Sequence, residues 1–314
     1  MIKIVFSILL LSATLSLLGG DFEKCYVTYE NQSTEGPMKF IVYVQNSINP
    51  IYYFGFEILH EIDTSEQVYS NQFRLQRAFI YEFDGMKMQS TGLVALAPGE
   101  SECVYKALNA VDFTGGFHGD EQLVDISFYI DGIRLSQMDL ADSFHLKPCT
   151  EFSYIQKSSM HKTFRKNKSQ DHDHRVESIH FKNSIFRDSG YETYNRIEWC
   201  DSVSIEIGYM SLSAIGIDMG EFCQSDKYQI CQFNRSSDHK LKETNNNVHI
   251  WNETNGTYAK VKSEFNVSDD SAIQFIWDVT NYNKYYRNIV PNDPVNVNKG
   301  DVWDSSTFVE FGIK

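Results

Sequence analysis

After residue 18 the chain has no apolar run long enough to cross a bilayer, which takes about 20 consecutive apolar residues. It has no Gly-x-Ser-x-Gly elbow, no phosphate-binding glycine loop ending in Lys-Ser/Thr, and no His-Glu-x-x-His pair. It has no Cys-x-x-Cys pair either, which argues against a cysteine-held zinc. Basic residues are scarce: Lys and Arg total 28 against 42 Asp and Glu, a formal net charge of −14. A nucleic-acid partner would call for a basic stripe, so that class is set aside. A local basic groove for an anionic polymer stays open, because the field that matters there is local. The sequence names no cofactor, no long helical pattern dominates it, and no internal repeat is visible.

What is present begins with Met1-Ile2-Lys3 and an apolar run from Ile4 to Leu18, followed by Gly19-Gly20 and Asp21. A positive start, a short apolar core and small residues after it read as a secretory signal peptide over residues 1–20. The alternative is an uncleaved anchor. Six cysteines, Cys25, Cys103, Cys149, Cys200, Cys223 and Cys231, follow it. An even number in an exported chain predicts disulfides, with Cys223 and Cys231 near enough in sequence to close a small loop. Asn-x-Ser/Thr sequons at Asn31, Asn167, Asn234, Asn252, Asn255 and Asn266 mark expected surface loops and glycosylation sites.

The remaining pattern is of short strands. Phe40–Val44, Ile51–Leu59, Ala78–Phe83, Leu93–Ala97 and Leu123–Ile130 are apolar or alternate with period two. Asp84-Gly85 and Asp131-Gly132 are hairpin turns, since both central positions favour φ > 0, and Pro50 and Pro98-Gly99 punctuate strand ends. Later strands are expected at Val203–Tyr209, Val248–Trp251, Tyr258–Val261, Ile273–Trp277 and Phe308–Ile313. Trp251 is read as core. The expected fold is all-β: a large antiparallel β-sandwich of jelly-roll type, or two packed sandwich domains. The expected division is an N-terminal half over 21–150, a polar His/Lys-rich connection over 151–178, and a C-terminal half over 179–314.

The segment richest in chemistry is Gly115-Gly116-Phe117-His118-Gly119-Asp120-Glu121. Glycines let a backbone bend sharply or approach a ligand, and an imidazole exchanges protons near neutrality. For a uronic-acid polymer, His118 would serve as base or acid, Tyr209 as its partner, and Arg187 or Arg196 would neutralise the uronate. Asp120 and Glu121 offer carboxylates for hydrolysis, but neighbours on an extended chain point to opposite sides. Tyr285 and Tyr286, in a cluster with Tyr282, Arg287, Trp277 and Trp303, are the candidate sugar-stacking platform, with core packing as the alternative for each.

Locally, His118-Gly-Asp-Glu121 resembles the His-x-x-Glu zinc motif of metallocarboxypeptidases and their deacylase relatives. That resemblance implies a metal-dependent hydrolase holding zinc through His118 and Glu121, although a strand and an Asp-Gly hairpin follow here where those enzymes have a helix. His172 and His174 have a spacing that would place both on one strand face. In its export signal, strand pattern and aromatic content, the chain resembles secreted β-sandwich proteins that process polysaccharides, polysaccharide lyases among them. This resemblance implies an extracellular enzyme cleaving an acidic glycan through His118. A non-catalytic glycan-binding or adhesion protein is the alternative. Polysaccharide is the expected partner, with no nucleic acid and no membrane once the signal is removed.

Overall fold

Period-two alternation of apolar side chains can bury only one face of a strand, so each strand needs neighbours and an opposing layer. The computed structural model of the chain describes residues 23–31, 38–65, 68–99, 101–162, 175–225, 230–234, 239–243, 247–266, 273–278, 282–290 and 292–314. The expected signal peptide, His172, His174 and the sequon at Asn167 lie outside the described residues.

One sheet runs Phe144–Cys149, Cys25–Glu30, Lys39–Gln45, Tyr52–Asp63, Ser70–Phe83 and Met88–Leu96, each antiparallel to the next. A single pair, Leu96 opposite Ile215, carries it to Val203–Gly216. That long strand pairs with Glu102–Ala107 and Tyr282–Asn288, and Ile273–Asp278 and His239–Glu243 follow.

The other sheet runs Glu121–Ile130, Phe152–His161, Val176–Arg187, Gly190–Trp199, Val302–Ile313, Thr257–Phe265, Asn247–Asn252, Phe222–Ser225 and Cys231–Gln232. A parallel rung, Ser70 with Glu121 and Asn71 with Gln122, joins the sheets into one hydrogen-bonded network. Their inner faces meet in an aromatic core. Phe40 lies 4.5 Å from Phe128 and 5.2 Å from Phe152, and Phe56 lies 5.3 Å from Phe186, ring centre to ring centre.

The antiparallel all-β sandwich matches the sequence reading, as do the hairpins. Asp131 and Gly132 have φ of 51° and 75° and join Ile130 directly to Ile133. Within residues 151–178, Phe152–His161 is a strand held between Glu121–Ile130 and Val176–Arg187, and 163–174 lies outside the described residues.

Two expectations are corrected here. None of the six cysteines is in a disulfide, so the expected framework is absent. The register does set Cys223 opposite Cys231, the two close in sequence, and Cys25 opposite Cys149, which spacing does not single out. Trp251 is not core. It is partly exposed on the outer face of its strand, while its neighbour Ile250 fills the inner one.

Candidate functional site

The inner face of the second sheet changes character along its strands. Phe152, Phe186, Tyr191 and Val309 form an apolar row, each opposite the next. Two residues further along Phe152–His161, the row is Tyr154, Ser184, Thr193 and Thr307, and the next is Gln156, Lys182, Asn195 and Ser305. Ser158 and His180 follow, before Met160 and Trp199 restore an apolar surface. A polar belt therefore crosses the interior between two hydrophobic clusters, one around Phe56 and Phe186 and one around Trp199, Ile205 and Met210. Buried polar groups are tolerated when hydrogen-bonded, and this belt largely is.

Its centre is Glu121, and a β-bulge puts it there. In Glu121–Ile130, Phe128 and Ile130 face the core, so unbroken alternation would turn Val124 inward and Glu121 outward. Instead Lys157 pairs with Asp125 and Ser158 with Leu123, leaving Val124 as the extra residue. Val124 is 58% exposed, Leu123 packs on the core, and Glu121 is 1% exposed. A bulge re-aims side chains in this way.

Glu121 Oε1 accepts a hydrogen bond from His180 Nδ1 at 2.9 Å and another from Ser158 Oγ. His180 Nε2 donates to Asn195 Oδ1 at 3.1 Å. Both ring nitrogens thus face acceptors, which favours the imidazolium. Burial would push the Glu121 carboxyl up, but the His180 charge and hydrogen bond, with Lys182 and Ser158, outweigh it and hold it below the usual carboxylate range. Burial likewise opposes charge on His180, and Glu121 more than offsets it, so the imidazole is held above its usual range. The adjoining cavity, about 40 Å³, is also lined by Gln72, Arg74, Glu102 and Lys182. That is room for water but not for a sugar ring.

The glycine loop stands at the edge of this belt and splits its chemistry between inside and outside. A single 3₁₀ turn, Gly116–His118, carries it. Gly116 donates its N–H to Glu121 Oε2 at 3.2 Å, and its carbonyl accepts from Gln72 at 2.7 Å. Phe117 N–H donates to Glu102. Gly119 is obligatory: its φ is 81°, and a Cβ there would sit 1.8 Å from the Val68 carbonyl oxygen.

His118 points the other way from Glu121. Its Nδ1 lies 2.8 Å from Asp112 Oδ1 and its Nε2 4.0 Å from Glu102 Oε1. Its ring packs on Phe113 at 5.0 Å, Phe113 stacks on Tyr209 at 5.4 Å, and Tyr209 meets Tyr286 at 4.8 Å. Lys284 lies over Tyr286 at 5.0 Å. Three expected site residues, His118, Tyr209 and Tyr286, therefore belong to one aromatic row.

The other expected residues lie elsewhere. Asp120 is buried at φ 55°, donating its N–H to Val68 and accepting from the His161 N–H at its carbonyl. Tyr285 is fully buried, bonded to Ser263, because it occupies the inward position beside Tyr286. It is core, not platform. Arg187 pairs with Glu151 at 2.8 Å, and Arg196 grips both oxygens of Asp304 at 2.7 and 3.1 Å. Both are strand-surface ion pairs, and neither lines the cavity, so a uronate clamp around His118 is not assembled from them.

The metallohydrolase reading finds no assembled site: His118 pairs with Asp112 and Glu121 with His180. No cluster of three or more His, Cys, Asp or Glu suited to a metal occurs among the described residues. Sequence reasoning missed His180, Asn195, Lys182 and Ser158. The available signal was the period-two polar series Ser178, His180, Lys182, Ser184 in an otherwise strand-like segment.

No protein-family model and no curated protein matches the chain. Solved structures do show likenesses. The galactosidase domain of the alpha-galactosidase-sucrose kinase AgaSK aligns over 90% of this chain and 41% of its own, at 7% identity and TM-score 0.48. This chain thus spans about two-fifths of the length of that protein. The Slr1438 protein from Synechocystis sp. PCC 6803 aligns over 94% of this chain and 97% of its own, at 9% identity and TM-score 0.34.

Proposed function

We propose that the chain is exported and acts on an acidic polysaccharide, with His118 in the proton transfer that opens the glycosidic linkage. The observation that carries this reading is the 2.8 Å His118–Asp112 pair at the head of an aromatic row. In β-elimination a base removes the C5 proton and the C–H electrons become a C4=C5 double bond. The C4–O bond breaks, and the departing glycosidic oxygen takes a proton. Asp112 orients the ring through Nδ1, and Nε2, 4.0 Å from Glu102 Oε1, is the nitrogen assigned to receive the C5 proton. Tyr209, half-buried and backed by the buried ring of Tyr286, offers an aromatic surface for a sugar, with Lys284 supplying a cation at the far end.

The test is cleavage of polygalacturonate, alginate and hyaluronan, followed by the ultraviolet absorbance of the new double bond. His118→Ala should lower the rate by about 100-fold or more, the usual scale of general acid–base catalysis, with thermal unfolding unchanged. Equal activity in the variant overturns the reading. Export is tested by N-terminal sequencing of protein recovered from the medium, which should begin near Asp21.

Binding without cleavage is the second reading. It is favoured by Phe113, whose ring contacts both His118 and Tyr209 and so stands between the supposed base and its partner. Polysaccharide binding by the wild type, undiminished in His118→Ala and without product, would establish it.

A further inference from the structure

The outer face of the second sheet carries aromatic side chains over its last strands. Cross-strand register sets Phe222, Trp251, Tyr258 and Gly312 in one row, and Gln224, His249, Lys260 and Glu310 in the next. Asn247, Lys262 and Phe308 make the third. The alternate residues, Cys223, Val248, Ile250, Ala259, Val261, Val309 and Phe311, fill the core. So this face is not the hidden side of an amphipathic strand set. It is the side facing water, and it carries aromatic rings.

Those rings are fixed in place. Trp251 stacks on Phe222 at 5.7 Å, and His249 packs on Trp251 at 5.1 Å and edge-on to Tyr258 at 5.7 Å. The Tyr258 ring lies across Gly312, where a Cβ would fall 2.1 Å from it, so the missing side chain makes the ring's bed. Its hydroxyl donates to Glu310 Oε1 at 2.8 Å. Rings held this way lose little freedom when a ligand covers them.

Two adjoining clefts open here. One, of about 490 Å³, is lined by Asn247, His249, Lys260 and Glu310, and the other, of about 480 Å³, by His249, Trp251, Asn252 and Tyr258. Gln224 and His249 belong to both. Each is within the range of small-ligand sites. The charges cancel locally: Lys260 pairs with Glu310 at 3.1 Å and Lys262 with Glu264. Burial and Lys260 push the His249 pKa down, so its ring is neutral at pH 7. An ionic polymer finds no net field to answer here. A neutral polyol ring with one C–H-rich face and hydroxyls at its edge finds both aromatic faces and amide or carboxylate partners.

We infer that this outer face is a second, non-catalytic glycan site, in which Trp251 and Tyr258 stack a neutral pyranose while Gln224, Asn247 and Glu310 hold its hydroxyls. It takes only the ligand class from the preceding reading, and its residues are separate from the His118 row.

The test uses the full chain and neutral trisaccharides, cellotriose and laminaritriose, with trigalacturonate as the acidic comparison. Binding is read from tryptophan fluorescence and calorimetry. Expected are saturable binding of a neutral trisaccharide, at least a tenfold loss of affinity in Trp251→Ala, and no change in His118→Ala. Gln224→Ala, at an exposed position, should weaken binding several-fold without touching a packed ring, which guards against a Trp251→Ala variant that does not fold. No neutral binding, binding unaffected by both Trp251→Ala and Gln224→Ala, or tighter binding of trigalacturonate at this face overturns the inference. Because His118→Ala spares this site, its failure and that of the cleavage reading are read separately.

Discussion

Glu121 Oε1 and His180 Nδ1 meet at 2.9 Å with both side chains almost wholly buried. The pair sits at the centre of the polar belt that divides the core. Each partner stabilises the charged form of the other, so at neutral pH His180 is a clamped imidazolium, not a base. The proposed cleavage therefore assigns proton transfer to the outward His118 and not to His180.

Removing one partner should be worse than removing both. Leaving a buried charge unpaired costs about 3–5 kcal/mol, whereas replacing the pair with neutral residues of similar volume is often close to neutral. His180→Ala is therefore expected to lower unfolding free energy by about 3–5 kcal/mol. Glu121→Gln with His180→Gln should cost distinctly less. Urea denaturation of the single and double variants measures both, and additive losses would show that the two side chains are not coupled.

The same pair gives stability a pH signature. Glu121 is held below its ordinary value of 4.5, so its contribution is present above that pH and is lost as the pH falls through the lower folded value. His180 is held above its ordinary value of 6.5, so its contribution is complete below that pH and fades as the pH rises through the higher folded value. The joint contribution is greatest between the two ordinary values and declines on either side. Melting temperature against pH, wild type minus the double Gln variant, should peak in that interval. A difference that is flat with pH would remove the ion pair from the account.

The glycine loop makes a local prediction. Gly119→Ala places a Cβ against the Val68 carbonyl at φ 81°, so strain and collision act together. Gly132→Ala meets the same kind of φ, 75°, with nothing within 4 Å. The second should cost about 1 kcal/mol, the order of a single left-handed residue, and the first clearly more. Gly119→Ala should also lower any His118-dependent activity, because the same backbone sets His118, while Gly132→Ala should not. Thermal melts and cleavage rates on both variants decide it.

Much of the fold was legible in the chain because strands declare themselves locally. Apolar or alternating runs marked Lys39–Gln45 and Tyr52–Asp63 to within a few residues and the second half of Val302–Ile313, and Asp131-Gly132 marked its hairpin. The site was legible only in part, because register is a non-local property. The loop drew attention to His118 and Glu121, but one extra residue at Val124 decides that Glu121 faces inward, and nothing in Leu123-Val124-Asp125 announces a bulge. His180 is one polar residue in a strand-like segment until the register sets Ser158 opposite it on one side and Asn195 reaches its ring from the strand on the other. Tyr285 and Tyr286 looked equivalent and both are buried, but the pleat turns one to Ser263 in the core and packs the other against Tyr209 in the aromatic row.

The thiols provide a test of the packing itself. Cys200 and Cys231 are partly exposed, whereas Cys25, Cys103, Cys149 and Cys223 are buried. The hydrogen bond with Cys149, together with burial, raises the Cys25 thiol far above its ordinary range, so it holds little of the thiolate that reacts with alkylating agents. Iodoacetamide applied to the native protein should label Cys200 and Cys231 first, and the other four only with denaturant, as read by peptide mass spectrometry. Cys25 and Cys149 face each other in the strands Cys25–Glu30 and Phe144–Cys149, so they should become reactive together as that ladder opens. Rapid labelling of Cys25 without denaturant would mean that this end of the first sheet is not packed as described. The core around Phe40 and Phe128, which those strands cover, would then be open to solvent as well.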